Sequence, residues 1–215
     1  MQKRLKVEHP YIPRDLKQAN FQDIFYEEDP YLANSIITNT SIENEKIDKL
    51  VLSKVIFKNI SLLGASFRGI DMTDVVFENC DLSNSDFSEG IIHRVTFKDC
   101  KFIGFNFSGA TLGNVTFENC FAKMSDFIDA RMKQVIFEKT ILQSANYSDC
   151  TFCKVKFDQC DIDDVNFSQT KLKGIDISTC TFDRITVDMG SLTGCIVSSN
   201  QAIKFATLLG LKVKD

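Results

Sequence analysis

Every fifth residue from Leu52 to Val197 is apolar, thirty positions in succession without a change of phase. The series runs Leu52, Phe57, Leu62, Phe67, Met72, Phe77, Leu82 and Phe87, and closes on Phe182, Val187, Leu192 and Val197. In a chain that is 44% hydrophobic, chance gives such a run about once in 10^11 trials by template counting, so the period is structural. It matches neither the helical repeat of about 3.6 nor the strand repeat of about 2. The backbone must turn a corner every few residues and return the same phase to the interior. That is the behaviour of a solenoid, whose successive coils share one core.

A second phase accompanies the first. Residues two before the apolar centres are small or β-branched, as at Val55, Ala65, Val75, Cys80, Ser85, Gly90, Val95, Cys100, Ala110, Val115 and Cys120. The next residue is often Asp, Asn or Thr, as in Ser85-Asp86-Phe87, Ser125-Asp126-Phe127, Ala145-Asn146-Tyr147 and Val165-Asn166-Phe167. This pattern resembles the pentapeptide-repeat family over most of the chain. The resemblance implies an all-β fold, a right-handed, four-sided parallel β-helix with one pentapeptide per side and a short C-terminal α-helix. A lag of twenty supports the stacking independently. Phe57, Phe77, Phe97, Phe117, Phe137 and Phe157 form one column, and Phe67, Phe87, Phe107, Phe127, Tyr147 and Phe167 another. Cys80, Cys100, Cys120, Cys160 and Cys180 form a third, with Thr140 substituting once.

The rest of the chain divides around this block. Residues 1–30 hold His9-Pro10, Ile12-Pro13 and Pro30, with Ala19-Asn20-Phe21 as an isolated pentapeptide out of register. They read as an extended arm with an irregular first coil. Residues 31–197 form the repeat block, since Leu32, Ile37, Ile42 and Ile47 carry the main phase backwards. In residues 198–215, Ser198-Ser199-Asn200 offers cap oxygens, Ala202, Phe205, Ala206 and Leu209 follow at helical spacing, and Gly210 stands at a stop position. Seven of the eight cysteines lie in the inward small phase, where a thiol packs as a small hydrophobe. Cys153 points outward, which argues against Cys150 and Cys153 acting as a redox or zinc pair. Reduced thiols, no apolar run near the ~18 residues of a membrane helix and no secretory start predict a cytoplasmic protein.

The C-terminal segment Leu192-Thr193-Gly194-Cys195-Ile196-Val197 and Leu208-Leu209-Gly210-Leu211, with Ile92-His93-Arg94-Val95, further resembles the Qnr- and MfpA-like fluoroquinolone-resistance branch. It is most similar to the loop-free, Gram-positive type, because the register is never interrupted. That resemblance implies a homodimer through Ala202, Phe205, Ala206 and Leu209. It also implies a DNA-mimicking rod that binds type II topoisomerases, DNA gyrase or topoisomerase IV, and protects them from quinolones. An immunity or scaffold protein of the same fold, acting on another protein partner, is the alternative.

Charge is unevenly placed for that role. The side centred on Phe67, Phe87, Phe107 and Phe127 carries Asp86, Glu89, Asp126, Asp129, Asp149 and Asp188 against Arg68 alone. The side centred on Met72, Ile92, Leu112 and Met132 carries Lys54, Arg94, Arg131, Lys133, Lys154, Lys171 and Lys173 against Asp71 and Asp74. Duplex DNA carries one charge per ~1.7 Å of axis, far more than the acidic side offers, so local complementarity is favoured over long-range imitation. Asp86 and Asp126 have a second reading as residues that hold the repeat corners. Ile103, Phe121, Met124 and Ile141 fall in outward phases of one side and form a candidate apolar docking patch. Their other reading is shielding of neighbouring strands. A net charge of −4 argues against direct nucleic-acid binding. With only His9 and His93, and no phosphate loop or metal-ligand spacing, neither an enzyme nor a cofactor is expected.

Overall fold

The computed structural model describes residues 5–208 and 210–214. Twelve strands precede one helix among them: β1 (Lys17–Gln18), β2 (Tyr31–Thr38), β3 (Ser41–Glu43), β4 (Val51–Lys58), β5 (Ser61–Leu63), β6 (Asp71–Glu78), β7 (Ile91–Lys98), β8 (Thr111–Glu118), β9 (Arg131–Glu138), β10 (Thr151–Asp158), β11 (Val165–Asn166), β12 (Ile185–Thr186) and α1 (Ser199–Leu208). The long strands join one parallel sheet in the order β1-β2-β4-β6-β7-β8-β9-β10. From β2 onward the paired residues of this sheet are twenty apart, as in Phe57↔Phe77↔Phe97↔Phe117↔Phe137↔Phe157. Short parallel bridges keep the same lag on other sides, from Ser61↔Asp81 to Asp161↔Thr181. The chain is a parallel β-solenoid of about eight turns.

The corners explain how a chain of L-residues sustains this path. Every fifth residue from Asn34 to Gly174 has φ between +48° and +79°, so the backbone turns four times in each twenty-residue coil. Asn, Asp and Gly tolerate this region best, and they fill many corners. Lys54, Arg94, Met124, Gln134 and Lys154 occupy it too, held by pairing on both sides.

Aromatic columns fill the interior. Successive rings from Phe57 to Phe157 lie 4.7–5.1 Å apart and within 17° of parallel. The neighbouring column is parallel from Phe107 through Phe127 to Tyr147 but breaks below, where Phe87 and Phe107 meet at 85°. Phe105 causes the break. It stands in the small phase, 4.8 Å from Phe87 and 4.2 Å from Phe107. Phe102, which replaces a leucine of its own column, meets the Phe105 ring edge-on at 5.1 Å, and Ala122 follows it one coil on.

The small phase also carries polar work. The thiols of Cys80, Cys100, Cys120 and Cys160 donate to the carbonyls of Phe57, Phe77, Phe97 and Phe137 at 3.3–3.5 Å. Thr140 makes the same bond to Phe117, and Ser125 to Phe102. One geometric slot thus accepts Cys, Ser or Thr, because each is small and bears a donor. Burial pushes the thiols of Cys120 and Cys150 up to about 12.

Both ends are closed. Phe21 lies in a 3-10 turn capped by Asn20 and buries its ring against Phe57 and Phe67 at 5.2 and 5.9 Å. The out-of-register pentapeptide is therefore a plug. At the other end Ser198 and Gln201 form a reciprocal capping box at 3.3 and 2.9 Å. The Gln201 amide then donates to the Ile177 and Cys180 carbonyls, both at 2.8 Å, and Lys204 donates to the Phe182 carbonyl. Polar side chains of α1 thereby satisfy the last coil.

Residues 5–18 lie along the rod. The Tyr11 and Glu8 amides donate to Asp74 Oδ1 at 2.9 Å and Asn114 Oδ1 at 3.1 Å, and Gln134 Nε2 donates to the Lys6 carbonyl at 3.0 Å. Asp74, Asn114 and Gln134 are corners of one column. The arm therefore runs antiparallel to the coil order and ends in β1, paired to β2 at Lys17↔Ser35.

Candidate functional site

The six acidic residues of the candidate face split into two kinds. Asp86 and Asp126 precede inward rings, and each carboxylate accepts the amide two residues on, from Ser88 and Ile128 at 2.9 and 3.0 Å. Asn106, Asn146 and Asn166 make the same turn, so this position needs an acceptor and not a charge. Asp188 accepts the Gln169 amide near the end of the rod. Glu89, Asp129 and Asp149 instead stand at exposed left-handed corners of one column. Arg68 bonds Glu89 and holds its carboxyl below the usual range. Asp129 and Asp149, neighbours one coil apart, form no ion pair among the described residues. These two are the free anions of the face.

On the adjacent side the arm changes the electrostatics. Arg94 forks onto Asp74 with Nε–Oδ1 2.6 Å and Nη2–Oδ2 2.9 Å, while its Nη1 lies 2.8 Å from His93 Nε2. Asp74 is buried, and the Arg94 guanidinium beside it holds its carboxyl below the usual range. The sequence pattern places Arg94 and Asp74 among the surface charges of this side. They form a covered ion pair because the arm, whose contacts span 63 to 128 residues, lies over them.

The candidate apolar patch is only partly exposed. Phe121 and Ile141 are bridged neighbours, both half-buried like Ile103, and the Lys123 ammonium lies 5.1 Å from the Phe121 ring centre. Met124 alone of the four is open, at 58%. At α1 the apolar stripe divides. Phe205 packs on Phe182 of its own chain at 5.5 Å, Ala206 is half-buried and Ala202 is exposed; Leu209 lies outside the described residues. Among the described residues the large exposed apolar groups here are Ile203, Leu208, Leu211 and Val213, which the helical spacing does not single out. Among the described residues, no cluster of His, Cys, Asp or Glu could hold a metal, and no helix is long and apolar enough to cross a membrane.

The coil is square, built on five-residue sides with small, acceptor and aromatic phases, which is the pattern of pentapeptide repeats. The family comparison gives the same result: residues 70–147 match the pentapeptide repeat region model and residues 137–174 the pentapeptide repeats (8 copies) model. Among curated proteins, the uncharacterized protein YisX of Bacillus subtilis (strain 168) is 38% identical over 73 residues, 34% of either chain. The match thus spans about a third of that relative's length. Among solved structures, QnrB1, a plasmid-mediated fluoroquinolone resistance protein, aligns with a TM-score of 0.55 at 17% identity, over 82% of this chain and all of that one. HetL, a pentapeptide-repeat protein involved in heterocyst differentiation regulation in the cyanobacterium Nostoc sp. strain PCC 7120, aligns at 0.51 and 14% identity, over 79% of this chain and 86% of its own.

Proposed function

We propose that this protein binds a type II topoisomerase, DNA gyrase or topoisomerase IV, through its acidic side and modulates the enzyme or protects it from quinolones. The observation that carries this reading is the corner column with Asp129 and Asp149, where two unpaired carboxylates stand one coil apart on a rigid rod. Such preset charges steer encounter with a basic groove and fix register. The mimicry of DNA is local, since most other acids of this side already serve turns or an ion pair. The rod works by binding, without cofactor or catalysis. It acts in the cytoplasm, a reading supported by eight free thiols. Two copies pair through the outer surface of α1, where Ile203 and Leu208 are 48% and 58% exposed.

A supercoiling assay with purified gyrase and ciprofloxacin tests the proposal. The protein is expected to restore supercoiling or inhibit the enzyme at low-micromolar concentration, and Asp129→Lys with Asp149→Lys to lose most of the effect. If neither rescue nor inhibition occurs, the reading fails. An immunity or scaffold role with another protein partner then takes its place, since the fold alone does not fix the partner.

A further inference from the structure

Among the described residues the arm's contacts reach as far as Gln134, and a different surface begins at that coil. Beneath the arm, Thr73, Asp74, His93, Arg94, Gly113 and Asn114 are buried or half-buried. In the coil of Gln134 and the two that follow, exposed bases occupy this side. Arg131, Lys133, Lys154, Lys171 and Lys173 are all exposed, and none forms an ion pair among the described residues. Residues 130–134, 150–154 and 170–174 contain no carboxylate. Lys6 joins the group from the arm, its carbonyl held by Gln134. Arg131 and Lys133 stand about 7 Å apart along a strand, and Lys171 and Lys173 repeat them about 10 Å further along the axis, from the rise and spacing of strands.

We propose that this basic patch docks an extended acidic peptide segment of a partner protein, lying lengthwise on the rod as a continuation of the arm's track. The arm shows the mode of binding. Corner side chains of Asp74, Asn114 and Gln134 take backbone groups of a chain running along the axis, and Lys154 is the next corner of that column. Charge selects the occupant. The chain's own upstream residues, Lys3 and Arg4, share the sign of the patch and do not suit it. A duplex nucleic acid, with grooves alone about 6 and 12 Å wide, overhangs onto Asp129 and Asp149, which border the patch two residues before Arg131 and Thr151. A single extended chain fits between them. The proposal is independent of which enzyme the acidic column meets.

The test is fluorescence anisotropy of a fluorescein-labelled (Asp-Glu)3 peptide, about 20 Å when extended, titrated with the full chain at low salt. Saturable binding is expected, weakened roughly tenfold in a Lys133→Glu/Lys173→Glu variant, as two exposed charge reversals allow. Lys98→Glu, an exposed base on the next side, is expected to bind as the parent does. Thermal melts of all three proteins verify folding. The proposal is overturned by absence of saturable binding, by equal loss in both variants, by no loss in the double variant, or by a short DNA duplex binding more tightly than the peptide.

Discussion

The interior of this rod and its corners follow one five-residue beat, yet they tolerate change very differently. Inside, each ring stacks on a ring of the neighbouring coils, so no side chain can shrink without leaving a void that several coils line. At the corners, the left-handed backbone accepts Asn, Lys, Glu, Met or Gln alike. The difference teaches that regular pairing fixes the backbone, packing restricts the core, and the corners stay free to carry recognition. The arm blurs this division, because it turns part of one corner column into interior.

The strongest attack on that contrast is Phe117→Ala. Phe117 is 1% exposed and stacks on Phe97 and Phe137, so the loss is expected to reach about 3–5 kcal/mol by urea denaturation. A destabilisation near zero would mean that the column does not bear load. Asp74→Ala comes next, at about 3 kcal/mol, unusually large for a corner, because it strands Arg94 and frees the Tyr11 amide. Its pH dependence is diagnostic. The folded carboxyl lies below the unfolded value of about 3.9, so its contribution is present above that value and lost as pH falls through the folded one. Parent and variant stabilities should therefore converge in acid.

A smaller change runs the other way. The Tyr147 hydroxyl is buried and has no hydrogen-bond partner among the described residues. Tyr147→Phe is expected to raise stability by about 1 kcal/mol, since it removes an unpaired donor while keeping the stack with Phe127. The smallest effect is expected from Phe121→Ala, within about 0.5 kcal/mol of the parent, with weakened partner capture in a pull-down. Loss of fold there would place the ring in the core and dissolve the candidate patch.

The core was readable from sequence because inward phases recur at fixed intervals and a column at lag twenty repeats its residue. Phe105 escaped that reading, since a large ring stands in the small phase and its fit among Phe87, Phe102 and Phe107 is a relation only packing reveals. Asp86 and Asp126 were read both as charge and as turn residues, and Asn106 and Asn146 at equivalent positions favour the turn. Glu89, Asp129 and Asp149 lie at multiples of twenty, so their shared column is legible in the sequence, whereas the Arg68 bond that sets Glu89 apart from the other two is not. The arm contact was illegible for a simpler reason. Its bonds use backbone groups of Lys6, Glu8 and Tyr11, which any residue but proline would supply.

The terminal plug of Gln201 and Lys204 touches only the final turn of the winding. Its fit is consequently blind to how many turns precede it. Adding or deleting one twenty-residue unit beyond Gln134, clear of the arm's contacts, would lengthen or shorten the molecule by a fixed step while both stoppers stay seated. The gene can thus tune the molecule's reach like a ruler cut to whole graduations, and a partner that measures distance along it would register each unit as one discrete increment.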